Sequence, residues 1–249
     1  MTQNTGFINE NELIEALDNK RFRNIDNKVK INLLDKICKH SLSDSDIIIC
    51  RKPKQIDNVA TKPDIEIIIR GISYHISIKK GSGNSVHQEP LEQFIKFCLN
   101  DIDLSRDDAN KIRFFIWGDG TFNNSGKIYD RMSANDIKKK YPQVIDGIQD
   151  IFDKNKAKLI DRFVKQGAGK NNPPASHIFY GTKDKGIIRN IDSIIKYLKY
   201  STLKPLSVGG LTFQAWNRNL NGGTRSENKR GHIQLKWGKL EKDLTLIDE

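Results

Sequence analysis

Long hydrophobic runs, paired cysteines and nucleotide-binding loops are all missing from this chain of 249 residues. No stretch approaches the roughly 18 apolar residues of a membrane span. The polar start, residues 1–6, lacks the features of a signal peptide. A soluble protein with no membrane partner is therefore expected. The three cysteines, Cys38, Cys50 and Cys98, are odd in number and far apart. Each lies in an apolar stretch, which fits buried thiols in a reducing cytoplasm better than disulfides or a zinc site. There is no Walker-type phosphate loop, no serine nucleophile elbow and no internal repeat. The histidines His75, His87, His177 and His232 show no ligand spacing and read as satisfied polar positions.

What is present is a globular composition, 37% hydrophobic and 29% charged. The length suits one large core or a core with an appended subdomain. Acidic residues thin out toward the C-terminus. Residues 1–150 hold 23 Lys and Arg against 22 Asp and Glu, whereas residues 151–249 hold 19 against 9. A net charge of +1 is thus followed by one of +10. Carboxylates for a metal in one part and cations for a polyanion in the other suit a nucleic-acid enzyme. The expected organisation is a single domain over 1–249, with a catalytic core in 1–130 and a basic recognition part in 131–249.

Local patterns predict a helix over 10–18 capped by Asn9, and a second capped by Asp26 with Val29, Leu33, Leu34 and Ile37 inward. A short buried strand is expected at 47–50 and a central strand at 112–117. Pro90 suits the first position of a helix whose Leu91, Phe94, Ile95 and Cys98 face the core. Residues 134–166 read as helical, 167–174 as a break, 177–180 as a strand and 190–199 as a helix. Residues 206–240 read as β-rich. The fold class that follows is α/β, a mixed central sheet flanked by helices, with a β-rich C-terminal region.

The most informative stretch runs from Pro63 to Glu92. Two apolar runs, 63–69 and 74–80, meet at a turn around Gly71 and read as a β-hairpin. Asp64 starts one strand and Lys79 ends the other, with His75 and Ser77 on the face of Lys79. A carboxylate beside an ammonium can hold a divalent metal and a water against a phosphodiester. Glu66 alternates onto the face of Asp64, either to assist or to pair with a cation.

This segment resembles the PD-(D/E)xK nuclease superfamily, in which Pro-Asp opens one strand and acid-x-Lys ends the next. The second acid is replaced here by Ser77. That is similar to the serine-x-lysine restriction endonucleases of the EcoRII/NgoMIV lineage, which carry the missing acid on the following helix. The C-terminal stretch resembles MspI-type enzymes more loosely. Glu92 stands thirteen residues after Lys79, and Glu89 is its rival. The resemblance implies a restriction-endonuclease-like fold and a type II restriction endonuclease. It would hydrolyse double-stranded DNA with Mg²⁺ and leave 5′-phosphate ends. It also implies Asp64, Ser77, Lys79 and Glu92 as catalytic residues, and Asp64, the Ile78 carbonyl and Glu92 or Glu89 as metal ligands. A cognate DNA methyltransferase is implied as well. Monomer and two-fold homodimer both remain open, as do a repair or junction-resolving nuclease of the same fold and a non-catalytic DNA-binding module. Lys80, Asn84, Arg218, Asn219, Arg225, Asn228, Arg230, Gln234 and Lys236 are the expected DNA contacts, since Arg pairs with guanine and Asn or Gln with adenine.

Overall fold

The computed structural model describes residues 5–38, 40–56, 60–82, 84–202 and 205–248; the side chain of Arg225 lies outside this description. Contacts gather the chain into two compact, interleaved units. One comprises Met1–Asn84, Asp161–Tyr197 and Gly238–Glu249, and the other Ser85–Ile160 and Leu198–Trp237. The division does not fall at residue 130. It also redistributes charge: the first unit holds 23 Lys and Arg against 18 Asp and Glu, the second 19 against 13. The step in charge along the chain therefore becomes nearly even, +5 and +6.

The first unit is built on a six-stranded sheet. Its strands are β1 (Lys20–Arg21), β2 (Ile47–Arg51), β3 (Ile65–Ile69), β4 (Ile72–Lys79), β6 (His177–Thr182) and β7 (Lys185–Asn190), in that spatial order. All neighbours are antiparallel except β4 and β6, so the sheet is mixed. Helices flank it, as the fold class anticipates. Arg70 and Gly71 both take positive φ, 52° and 79°. This two-residue reversal matches the right-handed twist of the strands it joins.

Alternation then decides which face meets the core. Ile65, Ile67, Ile69, Ile76 and Ile78 are buried with Leu13, Leu17, Val29, Leu33, Leu34 and Ile37 from the N-terminal helices. Each such isoleucine stabilises by about 2 kcal/mol. A one-residue slip would expose all five and drive Asp64, Glu66, Ser77 and Lys79 into that core, so the register is firmly specified.

Two N-terminal expectations need revising. Asn9 is no cap: the helix spans Thr5–Leu17, and the buried Asn9 side chain donates to the Gly181 carbonyl at 2.8 Å. β2 is only half-buried, with Ile47 and Ile49 turned outward. Asp26 does cap its helix, accepting from the Lys28 amide at 2.8 Å.

The second unit carries an antiparallel sheet of β5 (Ser85–Pro90), β10 (His232–Lys236), β9 (Leu211–Ala215) and β8 (Ser207–Val208), in spatial order. Phe213 of β9 is ringed by Phe94, Phe115 and Phe152, with centroids at 5.9, 6.1 and 4.9 Å. The expected central strand at 112–117 is the second half of a helix, Arg106–Trp117. Ser105 caps it by accepting from the Asp108 amide, and Gly118 in the left-handed region ends it. Those end signals, with Ala109, Ile112 and Ile116 buried at helical spacing, override the apolar run. Pro90 is likewise not helical; it ends β5, and Leu91 opens the helix Leu91–Asp101.

His177 on β6 is buried, its Nδ1 hydrogen-bonded to Ser176 Oγ at 2.9 Å. Burial pushes its pKa down from 6.5 to about 4. The unfolded chain takes up this proton near pH 6.5 and the folded one only near pH 4. Its contribution is therefore complete above the unfolded pKa and fades as pH falls toward the folded one, by up to about 3 kcal/mol. Urea titrations from pH 7 to pH 4.5 should show wild type losing that much more stability than His177→Gln. Parallel curves would show that the imidazole is not held neutral.

Candidate active site

The strand ends of the β3–β4 hairpin bring three of the expected residues together. The Asp64 amide donates to the Ile76 carbonyl at 2.8 Å, continuing the ladder one residue before β3. That pairing sets the Asp64 side chain opposite Ser77, on the face away from the isoleucine core. Asp64 Oδ2 accepts the Ile78 amide at 2.6 Å, Ser77 Oγ at 3.2 Å and Lys79 Nζ at 3.3 Å. Lys79 Nζ also donates to the Ile78 carbonyl at 2.8 Å. Ser77 is fully buried, whereas the Lys79 and Asp64 side chains keep 16% and 26% of their exposure, so both reach solvent. Asp64 Oδ1 has no hydrogen-bond partner among the described residues. One carboxylate oxygen is thus pinned by three donors while the other stays available, with an ammonium alongside.

A neighbour that the sequence did not point to is Tyr180. It pairs with Lys79 in the parallel β4–β6 register. Its hydroxyl contacts the Gly81 carbonyl at 3.3 Å and Glu241 at 3.2 Å. Partial burial, then Glu241, hold its pKa above the usual phenol value. Glu66 resolves in favour of pairing with a cation. It accepts Arg51 at 2.9 Å and Ser73 at 3.0 Å, with His75 at 3.6 Å. Partial burial raises its pKa, but the bonds from Arg51 and Ser73 outweigh that and leave it lowered.

Glu89 and Glu92 belong to the second unit. Glu92, in the first turn of Leu91–Asp101, holds Arg113 in a bidentate pair at 2.9 and 2.7 Å. Glu89 is buried on the core side of β5, bonded to His87 Nε2 at 2.9 Å. Among the described residues no group of three or more His, Cys, Asp and Glu is placed to hold a metal ion.

Several expected DNA contacts are spent internally. Arg218 stacks on Phe115, 4.6 Å from its ring centroid, and donates twice to the Phe115 carbonyl. Burial, then Arg230, pushes its pKa down to about 10. Arg230 is 6% exposed and ion-pairs with buried Asp119 at 2.8 Å. Asn219 binds the Gly223 carbonyl and Glu227. These three act as struts of the loop they were expected to read from, because their donors have inward partners. Lys80 and Asn228 are exposed and Lys236 half-buried. Asn84 is buried, and its Oδ1 has no hydrogen-bond partner among the described residues. Gln234 joins a side-chain chain with Gln214 and Ser85.

No protein-family model matches the chain, and no curated protein is significantly similar to it.

Proposed function

We propose that this protein is a Mg²⁺-dependent endonuclease of double-stranded DNA, a type II restriction enzyme on a restriction-endonuclease-like fold. The observation that carries the reading is the Asp64–Ser77–Lys79 cluster at the open end of one hairpin. The oxygens on offer are Asp64 Oδ1 and the Ile78 carbonyl, an all-oxygen set of the kind that a hard cation prefers, with the buried Ser77 hydroxyl steadying Asp64. Mg²⁺ keeps several waters and takes one or two carboxylates plus substrate phosphate, so this small set fits it. When bound, such an ion polarises a phosphoryl oxygen and acidifies a water.

The chain's own side chains supply the remainder. Asp64 would hold the cation through its free Oδ1, while its Oδ2 is held still by the Ile78 amide. Lys79 Nζ, steadied by Asp64 and the Ile78 carbonyl, positions the attacking water and offsets negative charge that builds on the phosphorane. In-line attack leaves 5′-phosphate and 3′-hydroxyl ends. The resemblance supplies Glu92, or its rival Glu89, as the further acid; Glu92 is clasped by Arg113 within its own unit. A cytoplasmic setting and a companion DNA methyltransferase belong to the same proposal, which fits a monomer and a two-fold homodimer equally.

The clasp of Glu92 by Arg113, with no three-residue metal group among the described residues, favours one other reading. It is a DNA-binding module whose acid–lysine hairpin is inert. Incubating the protein with phage DNA and Mg²⁺, then sequencing the ends, separates the two. Recurrent 5′-phosphorylated ends, absent in EDTA, are expected; intact DNA would leave only the binding module.

The acids should differ in weight. Glu92→Gln is expected to slow cleavage by about 100-fold, and Glu66→Gln by well under tenfold, because Glu66 is committed to Arg51. A kinetic series on one plasmid substrate checks the ranking. If Glu66→Gln is the more damaging change, Glu66 and not Glu92 completes the site.

A further inference from the structure

The inward commitments of Arg218 and Arg230 leave the question of which surface reads bases, and the second unit's sheet offers one. Gln88 of β5, Gln234 of β10 and Gln214 of β9 lie directly across from one another on three adjacent strands. They share the face opposite to Ile233, Leu235 and Phe213, which are buried in the core. Their side chains form a directed relay. Gln214 Nε2 donates to Gln234 Oε1 at 2.8 Å, and Gln234 Nε2 donates to Ser85 Oγ at 3.2 Å. Gln88 Nε2 donates to the same hydroxyl at 2.9 Å.

The middle glutamine uses both ends of its amide inside the relay. The outer two do not. Among the described residues, Gln88 Oε1 and Gln214 Oε1 have no partner, and each Nε2 keeps a second hydrogen. Each outer amide therefore presents an acceptor and a donor side by side, the complement of the N6–H and N7 edge of adenine. The relay fixes their orientation beforehand, which lowers the ordering cost of gripping a base. Adjacent strands stand about 4.8 Å apart, so the row spans about 10 Å, within the roughly 12 Å width of a major groove. Lys236 lies on the same face beside Gln234, and Lys229 sits over the Trp216 ring at 4.3 Å. Both are cations at the rim of the row, as phosphate contacts require.

We infer that this glutamine row is the base-reading surface, Gln88 and Gln214 each holding an adenine in the major groove of duplex DNA. The inference rests on the DNA-cleaving function proposed above, but its test is independent of cleavage. Wild-type protein in Ca²⁺ is used to select duplexes from a random pool. Gln88→Ala and Gln214→Ala are carried through the same selection after melting curves confirm that each folds. The wild-type pool should converge on a sequence with defined adenines. Each variant should lose the preference at a different adenine and bind the wild-type sequence about tenfold more weakly, with random duplex unaffected. Replacing either adenine by 7-deazaadenine should cost wild type a similar factor, since the N7 acceptor is gone. Convergence on one sequence by wild type and both variants alike would overturn the inference, as would no convergence at all. If the glutamine-dependent preference appears but Mg²⁺ yields no cuts, the row is a reader and the nuclease proposal falls. If Mg²⁺ yields cuts at a sequence that neither variant alters, the nuclease stands and this surface is not its reader.

Discussion

Lys79→Ala is expected to slow Mg²⁺-dependent cleavage by roughly 10³-fold, the scale on which one well-placed charge-stabilising donor acts. Asp64→Ala should do at least as much, because it removes the free Oδ1 and also the partner that steadies Lys79. Neither change should weaken duplex binding in Ca²⁺ by more than about tenfold, since neither residue belongs to the proposed reading row. Single-turnover cleavage and a binding titration on the same DNA make the comparison. A variant that keeps a tenth of the wild-type rate would remove the proposed site. Lys79→Arg is the informative companion. It keeps the charge but replaces a compact ammonium with a planar fork, so its rate should stay near that of alanine if Nζ must reach both Asp64 and the Ile78 carbonyl.

The second large effect is on stability. Arg230 and Asp119 have side chains 1% and 0% exposed. Arg230 also donates to Asn124 and to the carbonyls of Trp117 and Arg218. Removing one partner of such a pair strands a buried charge, at about 3–5 kcal/mol. Arg230→Met should lower the unfolding free energy by that amount in urea. Adding Asp119→Asn should recover part of the loss, because the stranded carboxylate then becomes neutral. If Arg230→Met leaves stability intact and instead weakens binding to one DNA sequence, the guanidinium is a reader after all.

The hairpin was legible in the sequence because a period of two, a positive-φ reversal and a buried isoleucine face all agree. From that register alone, Asp64, Ser77 and Lys79 had to share a side. Other elements lacked such agreement. Residues 112–117 look like a strand in isolation, and only the Ser105 cap and the Gly118 stop reveal a helix. β5 carries few apolar residues, with His87 and Glu89 turned inward as a bonded pair, so no alternation marked it. β7 was missed because its short hairpin partner, β6, supplies the ordering. Arg218 and Arg230 illustrate a deeper limit. An arginine in a polar loop has the same letters whether its guanidinium meets a guanine or a buried aspartate. The row of glutamines was hidden for the same reason: Gln88 and Gln214 are 126 positions apart, and only the sheet register makes them neighbours.

The parallel pairing of β4 with β6 has a kinetic consequence. The hairpin holding Asp64 and Lys79 is local and can close in microseconds. Its other flank comes from a strand far along the chain; the clamp from the His75 amide to Ser176 Oγ spans 101 positions. Closing a loop of that length costs about 4 kcal/mol of chain entropy before any contact repays it. Until then β4 is an open sheet edge, able to pair with another chain. Refolding should therefore be slow and concentration-sensitive, with the Asp64–Lys79 cluster assembled early and its Tyr180 side arriving last.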